Sequence, residues 1–213
     1  MIIIFIGAPG SGKGTQSLVF SQELKIPHLS TGDLLRQEVK QQSEIGKKIE
    51  DILSTGALIF PEIVNELVEI NLKKPECLGG CILDGYPRSL DQAKYLDGLE
   101  LSQQMKVIYF DIPKDKIIAR IIDRYSCADC GKIYNKALNP PKIENVCDDC
   151  HGTAFVCRSD DNEKTVLTRL DEFYDHTYPI LPFYENKGVL HKINADQAVN
   201  QVQNEIRLLA KNY

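Results

Sequence analysis

The stretch Met1-Ile-Ile-Ile-Phe-Ile6, followed at once by Gly7-Ala-Pro-Gly-Ser-Gly-Lys-Gly-Thr15, constrains this chain more than any other. A short β-branched and aromatic run without polar interruption reads as a strand buried on both faces. The four glycines that follow within nine residues allow backbone angles closed to other residues and a close approach to a ligand. A helix is expected to leave this turn near Lys13. The amides of such a loop, backed by a helix N-terminus, form a concave anion site. Lys13 would place a point charge on the outer phosphates, and a hydroxyl would face Mg²⁺. The strict phosphate-loop pattern puts Ser or Thr directly after the lysine; here Gly14 intervenes and Thr15 supplies the hydroxyl. Nucleotide phosphate binding is the expectation, set against an ordinary structural strand–turn–helix.

Further apolar runs alternate with helical periodicity. Strands are expected at 26–30, 80–84, 106–111 and 189–193. Helices are expected at 15–23, from Thr31, at 43–54 and at 61–72, the last with Ile63, Leu67 and Ile70 as its buried stripe. Others start at Ser89, at Pro113 (with Ile117, Ile118, Ile121 and Ile122 inward), near Glu163 towards Tyr178, and at Asp196 through Leu209. This alternation predicts an α/β fold, a parallel five-stranded sheet flanked by helices. Ligands in such folds sit at the carboxyl ends of the strands, where the glycine loop, Thr31 and Asp84 fall. Two stretches read as insertions into one core: 30–59, helical, and 122–158, cysteine-bearing. The core would take 1–29, 60–121 and 159–213.

Composition narrows the function classes. A net charge of −5 over 213 residues argues against broad nucleic-acid binding. Any anion site must therefore concentrate positive charge locally. No apolar run approaches the roughly 20 residues that span a bilayer, and Ile2–Ile6 is too short for a signal peptide. A cytoplasmic location without membrane partners is the expectation.

Four of the seven cysteines form two CxxC pairs, Cys127-Ala-Asp-Cys130 and Cys147-Asp-Asp-Cys150, with sixteen residues between them. In a reducing compartment that spacing points to metal rather than disulfides. Four thiolates close a tetrahedron and leave no position for substrate, so the implied zinc would be structural. A segment with little core of its own gains from such a staple. The competing readings are four unligated thiols, or His151 standing in as a ligand. Cys77, Cys81 and Cys157 read as packing residues.

Seven arginines complete the pattern. Taken singly, each could be a surface ion pair. Yet Arg36, Arg88, Arg120, Arg124, Arg158 and Arg169 fall at the edges of loops that could converge on the glycine loop, leaving only Arg207 remote. Their planar forks suit bidentate phosphate contacts and suggest more phosphate than one nucleotide carries.

With these residues assembled, the whole chain resembles the adenylate kinase family of nucleoside monophosphate kinases, in its long-lid form with a zinc-binding lid. The resemblance rests on the glycine loop, Ser30-Thr-Gly-Asp-Leu-Leu-Arg36, Leu83-Asp-Gly-Tyr-Pro-Arg88 with Gln92, Arg120, Arg124, the four-cysteine segment, and Arg158-Ser-Asp-Asp161 with Arg169. It implies the reaction MgATP + AMP ⇌ 2 ADP, and a monomer. It places Gly10, Ser11, Gly12, Lys13, Gly14 and Thr15 on the ATP phosphates with Arg124. Arg120, Ile133, Tyr134 and Asp196 would lie near the ATP adenine and ribose. AMP would meet Thr31, Arg36, Ala57, Leu58, Ile59, Gly85, Tyr86, Pro87 and Arg88, with Gln92 reading its base. Arg158 and Arg169 would bridge the transferred phosphoryl group, and Asp84 would hold Mg²⁺ through water. On the same resemblance 30–59 is the AMP-binding segment and 122–158 the lid. Tyr86 stands where many relatives carry Phe, Phe60-Pro61 where an acid follows more often, and Ala195 where glycine is frequent. The AMP phosphate is already ionised as acceptor, so none of His28, His151, His176 or His191 is required as a base. Three alternatives remain open: a related kinase using GTP, CMP or UMP; a zinc-ribbon nucleic-acid module; and a phosphate-loop NTPase.

Overall fold

The computed structural model describes residues 1–99, 101, 104–157 and 161–210. Arg158, Ser159 and Asp160 lie outside the described residues. The first strand, β1 (Ile2–Gly7), is buried along its whole length, as its unbroken apolar run requires. It leads through the glycine loop into α1 (Lys13–Leu24), then β2 (His28–Ser30). Next come α2 (Thr31–Lys40), α3 (Glu44–Thr55) and α4 (Pro61–Leu72). Ser30 caps α2 by accepting from the Asp33 amide, and Ser43 caps α3 by accepting from the Gly46 amide.

Strand β3 (Cys81–Asp84) precedes α5 (Leu90–Gly98), and β4 (Met105–Asp111) precedes α6 (Lys114–Ile122). The cysteine segment follows as β5 (Arg124–Cys127), β6 (Ile133–Asn135) and β7 (Phe155–Val156). The chain returns to the core through α7 (Glu163–Glu172), a π-helical turn, α8 (Leu181–Asn186), β8 (Leu190–Asn194) and α9 (Val199–Ala210).

The main sheet runs β2-β3-β1-β4-β8, and every pairing is parallel. From central β1 the chain moves to one side for β2 and β3, then crosses to the other for β4 and β8. That reversal opens a crevice at the carboxyl end of β1, beside β3 and β4. A separate antiparallel sheet, β6-β5-β7, forms the cysteine segment.

Three packing expectations need correction. On α4 the buried stripe is Val64, Leu67, Val68 and Leu72; Ile63 is half-buried and Ile70 is exposed. The spacing was right and the phase was one residue out, because Val64 and Val68 fit the same helical period. Ile122 is exposed at the end of α6, where the chain turns into the second sheet, while Ile117 and Ile121 are fully buried. Cys157 is exposed, unlike Cys77 and Cys81. Pro179 and Pro182 occupy first-turn positions of short helical segments, where a missing amide is tolerated.

Candidate active site

The glycine loop turns with Gly10 and Gly12 at φ of +76° and +96°, a region that L side chains rarely adopt. Gly12 precedes the first turn of α1, which carries no acidic side chain and receives no side-chain cap from it. The helix start therefore keeps donors and positive dipole for an anion. Lys13 lies back over this loop, donating to the Gly7 carbonyl at 2.6 Å, the Ala8 carbonyl at 2.9 Å and Ser11 Oγ at 3.3 Å. Burial lowers its pKa to about 7; Asp84 opposes that shift, while Arg88, Arg169 and Arg124 add to it.

Those same charges locate the centre of the site. Asp84 ends β3 beside the loop, and its Oδ2 lies 3.4 Å from His28 Nε2 on neighbouring β2. Burial pushes the Asp84 carboxyl up, but the His28 hydrogen bond, Lys13 and Arg88 together bring it below its ordinary value. After β3 the chain passes Gly85 at φ +80°, where a side chain would press on Thr31 Oγ1 and the Arg88 guanidinium. The Gly85 carbonyl accepts from both, Thr31 Oγ1 at 2.8 Å and Arg88 Nε at 2.8 Å. Gln92 Oε1 accepts the Arg88 amide at 2.7 Å, and Thr177 Oγ1 donates to the Arg88 carbonyl at 2.9 Å. The arginine is thus held at backbone and head alike.

Across the crevice, Arg124 Nε donates to Asp161 Oδ2 at 2.7 Å and Arg169 Nη1 to Asp161 Oδ1 at 3.3 Å. Asp161 is almost wholly buried, and one carboxylate holds two cations at the wall of the cleft. Arg120 reaches from α6 to the Ala195 carbonyl at 3.0 Å and to Asp196 Oδ1 at 3.5 Å.

These groups line one cleft of about 1250 Å³. A single small-molecule site usually occupies about 300–1,000 Å³, so the space exceeds one ordinary ligand. The glycine loop, Asp84, Arg88, Arg120, Arg124, Ile133, Arg169 and Asp196 all border it. A smaller adjoining pocket is lined by Thr31, Arg36, Ala57, Leu58, Ile59, Gly85, Arg88, Gln92 and Arg169. The two share Gly32, Arg36, Gly56, Leu58, Gly85, Arg88 and Arg169, so the expected residues fall into two adjoining groups that meet at arginines.

Two expected residues sit differently from the rest. Tyr86 is fully buried and lines neither space; its hydroxyl donates to Asn65 Oδ1 at 2.7 Å and to the Gln92 carbonyl at 3.3 Å. Tyr134 borders the cleft, but its ring belongs to the small core of the second sheet with Tyr125 and Phe155. Arg158 lies outside the described residues. Sequence reading missed His28, Asp161 and Thr177. His28 becomes visible only through the β2–β3 register, and Thr177 through packing from 89 residues away. Asp161 stood within a motif already singled out, without a role.

The four cysteines of the two CxxC pairs come together. Their sulfurs lie within 4.8 Å of one another, with Cys127 to Cys150 and Cys130 to Cys147 each at 3.5 Å. At a zinc–sulfur distance of about 2.3 Å a tetrahedron has edges of about 3.8 Å, so this donor set fits a thiophilic ion. Although burial opposes ionisation of Cys147, amide donors from Cys150 and Asp149 and the Tyr134 hydroxyl outweigh it and bring the thiol down to about 6. Tyr134 Oη in turn accepts the Asp148 amide at 2.7 Å. His151 is exposed and stands outside the cluster.

A family model described as adenylate kinase matches residues 5–189 of the chain. Curated relatives extend the likeness over nearly its full length. The adenylate kinase of Rickettsia prowazekii (strain Madrid E) is 39% identical over 211 residues, 99% of each chain. That of Thermosipho melanesiensis is 42% identical over 209 residues, 97% of each. That of Desulforamulus reducens is 41% identical over 214 residues, covering 99% of this chain and 100% of the relative.

Proposed function

The chain belongs to the adenylate kinase family, and from that membership we propose how its own residues carry the reaction. It is a nucleoside monophosphate kinase that moves a phosphoryl group reversibly, MgATP + AMP ⇌ 2 ADP. The observation that carries the division of labour is that Lys13, Asp84, Arg88, Arg124 and Arg169 line one cleft around the glycine loop. Three segments, the turn after β3, β5 and α7, bring charge to the carboxyl end of β1.

In this reading ATP takes the larger cleft, with its phosphates in the loop from Gly10 to Thr15 and its adenosine between Arg120, Ile133 and the segment at Asp196. Lys13 exchanges the loop carbonyls for phosphate oxygens. Arg124 and Arg169, stored on Asp161, turn to the transferring group, joined by Arg158. AMP takes the other end of the same cleft, beside the smaller pocket of about 40 Å³, with its phosphate on Arg36 and Arg88 and its base against Gln92 and the backbone of Ala57, Leu58 and Ile59. The acceptor oxygen arrives ionised, so positioning and positive charge supply the catalysis. Mg²⁺, when bound with ATP, would neutralise phosphate charge, and Asp84, kept ionised by its neighbours, would hold it through water. Closure of 30–59 and 122–158 over the core would exclude water and suppress hydrolysis.

Zinc is the proposed occupant of Cys127, Cys130, Cys147 and Cys150, supported by their donor set and spacing. A cytoplasmic monomer is proposed on the family resemblance; no helix among the described residues is long and apolar enough to cross a membrane. Phosphoryl transfer from MgATP, measured against AMP, GMP, CMP and UMP beside an acceptor-free control, tests the whole reading. ADP formed with AMP alone supports Gln92 as base selector. Equal transfer to CMP or UMP overturns that role, and ATP loss without acceptor overturns the closure.

A further inference from the structure

The segment that joins β8 to α9 is pinned from three directions. The Ala195 amide donates to the Asp111 carbonyl of β4 at 2.7 Å, and Arg120 of α6 donates to the Ala195 carbonyl at 3.0 Å. The third tie comes from α1 itself: Gln16 Nε2 donates to the Val199 carbonyl at 3.3 Å. Asp196, Gln197, Ala198, Val199 and Val202 all face the large cleft, and Gln16 borders it from the next turn after Lys13. One side chain therefore connects the helix that carries the phosphate cradle to the segment that leads into α9.

The chemistry of Gln16 argues that stability is not its purpose. The side chain is almost wholly buried, yet its Oε1 has no hydrogen-bond partner among the described residues. A buried amide with one unpaired atom is a net cost that an apolar side chain of similar length would avoid. The Val199 carbonyl also lies in the first turn of α9, where the helix itself supplies an amide donor four residues on. The bond is dispensable for satisfying that carbonyl. What it fixes is the spacing at the end of α1 next to the phosphate loop; further along, Arg207 of α9 holds Glu23 of α1.

We propose that Gln16 is a positioning residue for the donor nucleotide, holding the Asp196–Val199 wall at the span that a purine nucleoside triphosphate requires from the phosphate loop. The inference rests on the reading that the donor base lies against that wall. It assigns Gln16 to the span between base and phosphates, not to either end. A donor with no base should ignore the tie, whereas ATP should depend on it.

Gln16→Met keeps length and apolar volume and removes the tie. Steady-state kinetics with MgATP and AMP, inhibition by inorganic tripolyphosphate, and thermal melting are measured on this variant and on Arg120→Ala. For Gln16→Met the KM for ATP should rise three- to tenfold, with kcat and the KM for AMP within twofold of the parent. The Ki of tripolyphosphate should not move, and the melting temperature should stay level or rise. An unchanged KM for ATP overturns the inference, as does a parallel rise in KM for ATP and Ki for tripolyphosphate, or a melting loss that tracks kcat. If Arg120→Ala raises the KM for ATP and Gln16→Met does not, the inference fails while the donor-site reading stands. If neither variant moves it, the donor-site reading falls and takes the inference with it.

Discussion

The segments 30–59 and 122–158 face the same cleft but are held by different physics. The first is two capped helices whose apolar faces join the main core: Leu35 and Ile49 are buried in the same cluster as β1. The second is three short strands with a separate core of Cys127, Tyr134 and Cys147, flanked by Tyr125, Cys130 and Phe155. Two of those three buried residues are metal ligands in the proposed reading. A helical insertion can borrow the hydrophobic effect of the parent domain. A small sheet standing apart from it buries too little to fold alone and needs covalent or coordinate staples.

The contrast predicts that the segments fail separately. The largest effect is expected from Cys127→Ser combined with Cys150→Ser. Loss of two ligands should unfold the second sheet at low temperature and raise the KM for ATP at least tenfold. The KM for AMP should stay within about twofold, because the helical segment owes nothing to the thiols. A single unchanged melting transition would contradict the structural metal. Next is Ile49→Ala, which opens a cavity in the shared core and should cost about 2–5 kcal/mol of global stability by denaturant melting. Metal content of this variant, read by a thiol-competing chelator, should equal the parent's; metal loss would mean that the segments are coupled.

A smaller effect concerns Lys13, which feels Arg124 at the edge of the cysteine segment as well as Arg88 and Arg169. Burial and the three arginines lower its pKa to about 7 from the 10.5 of an ordinary lysine, and bound phosphates would raise it again. ATP binding should therefore take up a proton above pH 7, and affinity should weaken towards tenfold per pH unit as pH rises to 9. Between pH 7 and 10.5 the unfolded chain binds more protons at Lys13 than the folded one, so this group makes the free protein more stable as pH rises there. A dissociation constant that is flat from pH 7 to 9 by calorimetry would refute the assignment. The smallest effect is expected for Tyr86→Phe, which deletes a buried hydroxyl with two partners and should cost about 1 kcal/mol in melting experiments. A stability unchanged within error would show that the Asn65 and Gln92 contacts are not maintained in solution.

The two regions also differ in how far the sequence discloses them. The strand and glycine loop announce both their fold and their chemistry, because local conformation and ligand demand the same residues. The CxxC pairs likewise state their partners through spacing, and the structure brings the four sulfurs together. The phase of α4 was less legible, since Ile63, Leu67 and Ile70 share their helix with the equally spaced Val64 and Val68, and only tertiary packing decides between them. His28, Asp161 and Gln16 were not legible as site residues. Each acts through a partner remote in sequence: Asp84, Arg124 and Val199 respectively. A single sequence carries no signal for such pairs.

The most direct test of the proposed phosphate centre is Lys13→Ala, assayed for phosphoryl transfer from MgATP to AMP and melted in parallel. The charge convergence predicts a fall in kcat of at least about 10³-fold, comparable to the loss of a principal transition-state charge stabiliser. The melting temperature should hold or rise, because a half-buried amine is removed from a site crowded by arginines. A melting loss that matches the activity loss, or an active variant, would contradict Lys13 as the point on which the charges of the cleft converge.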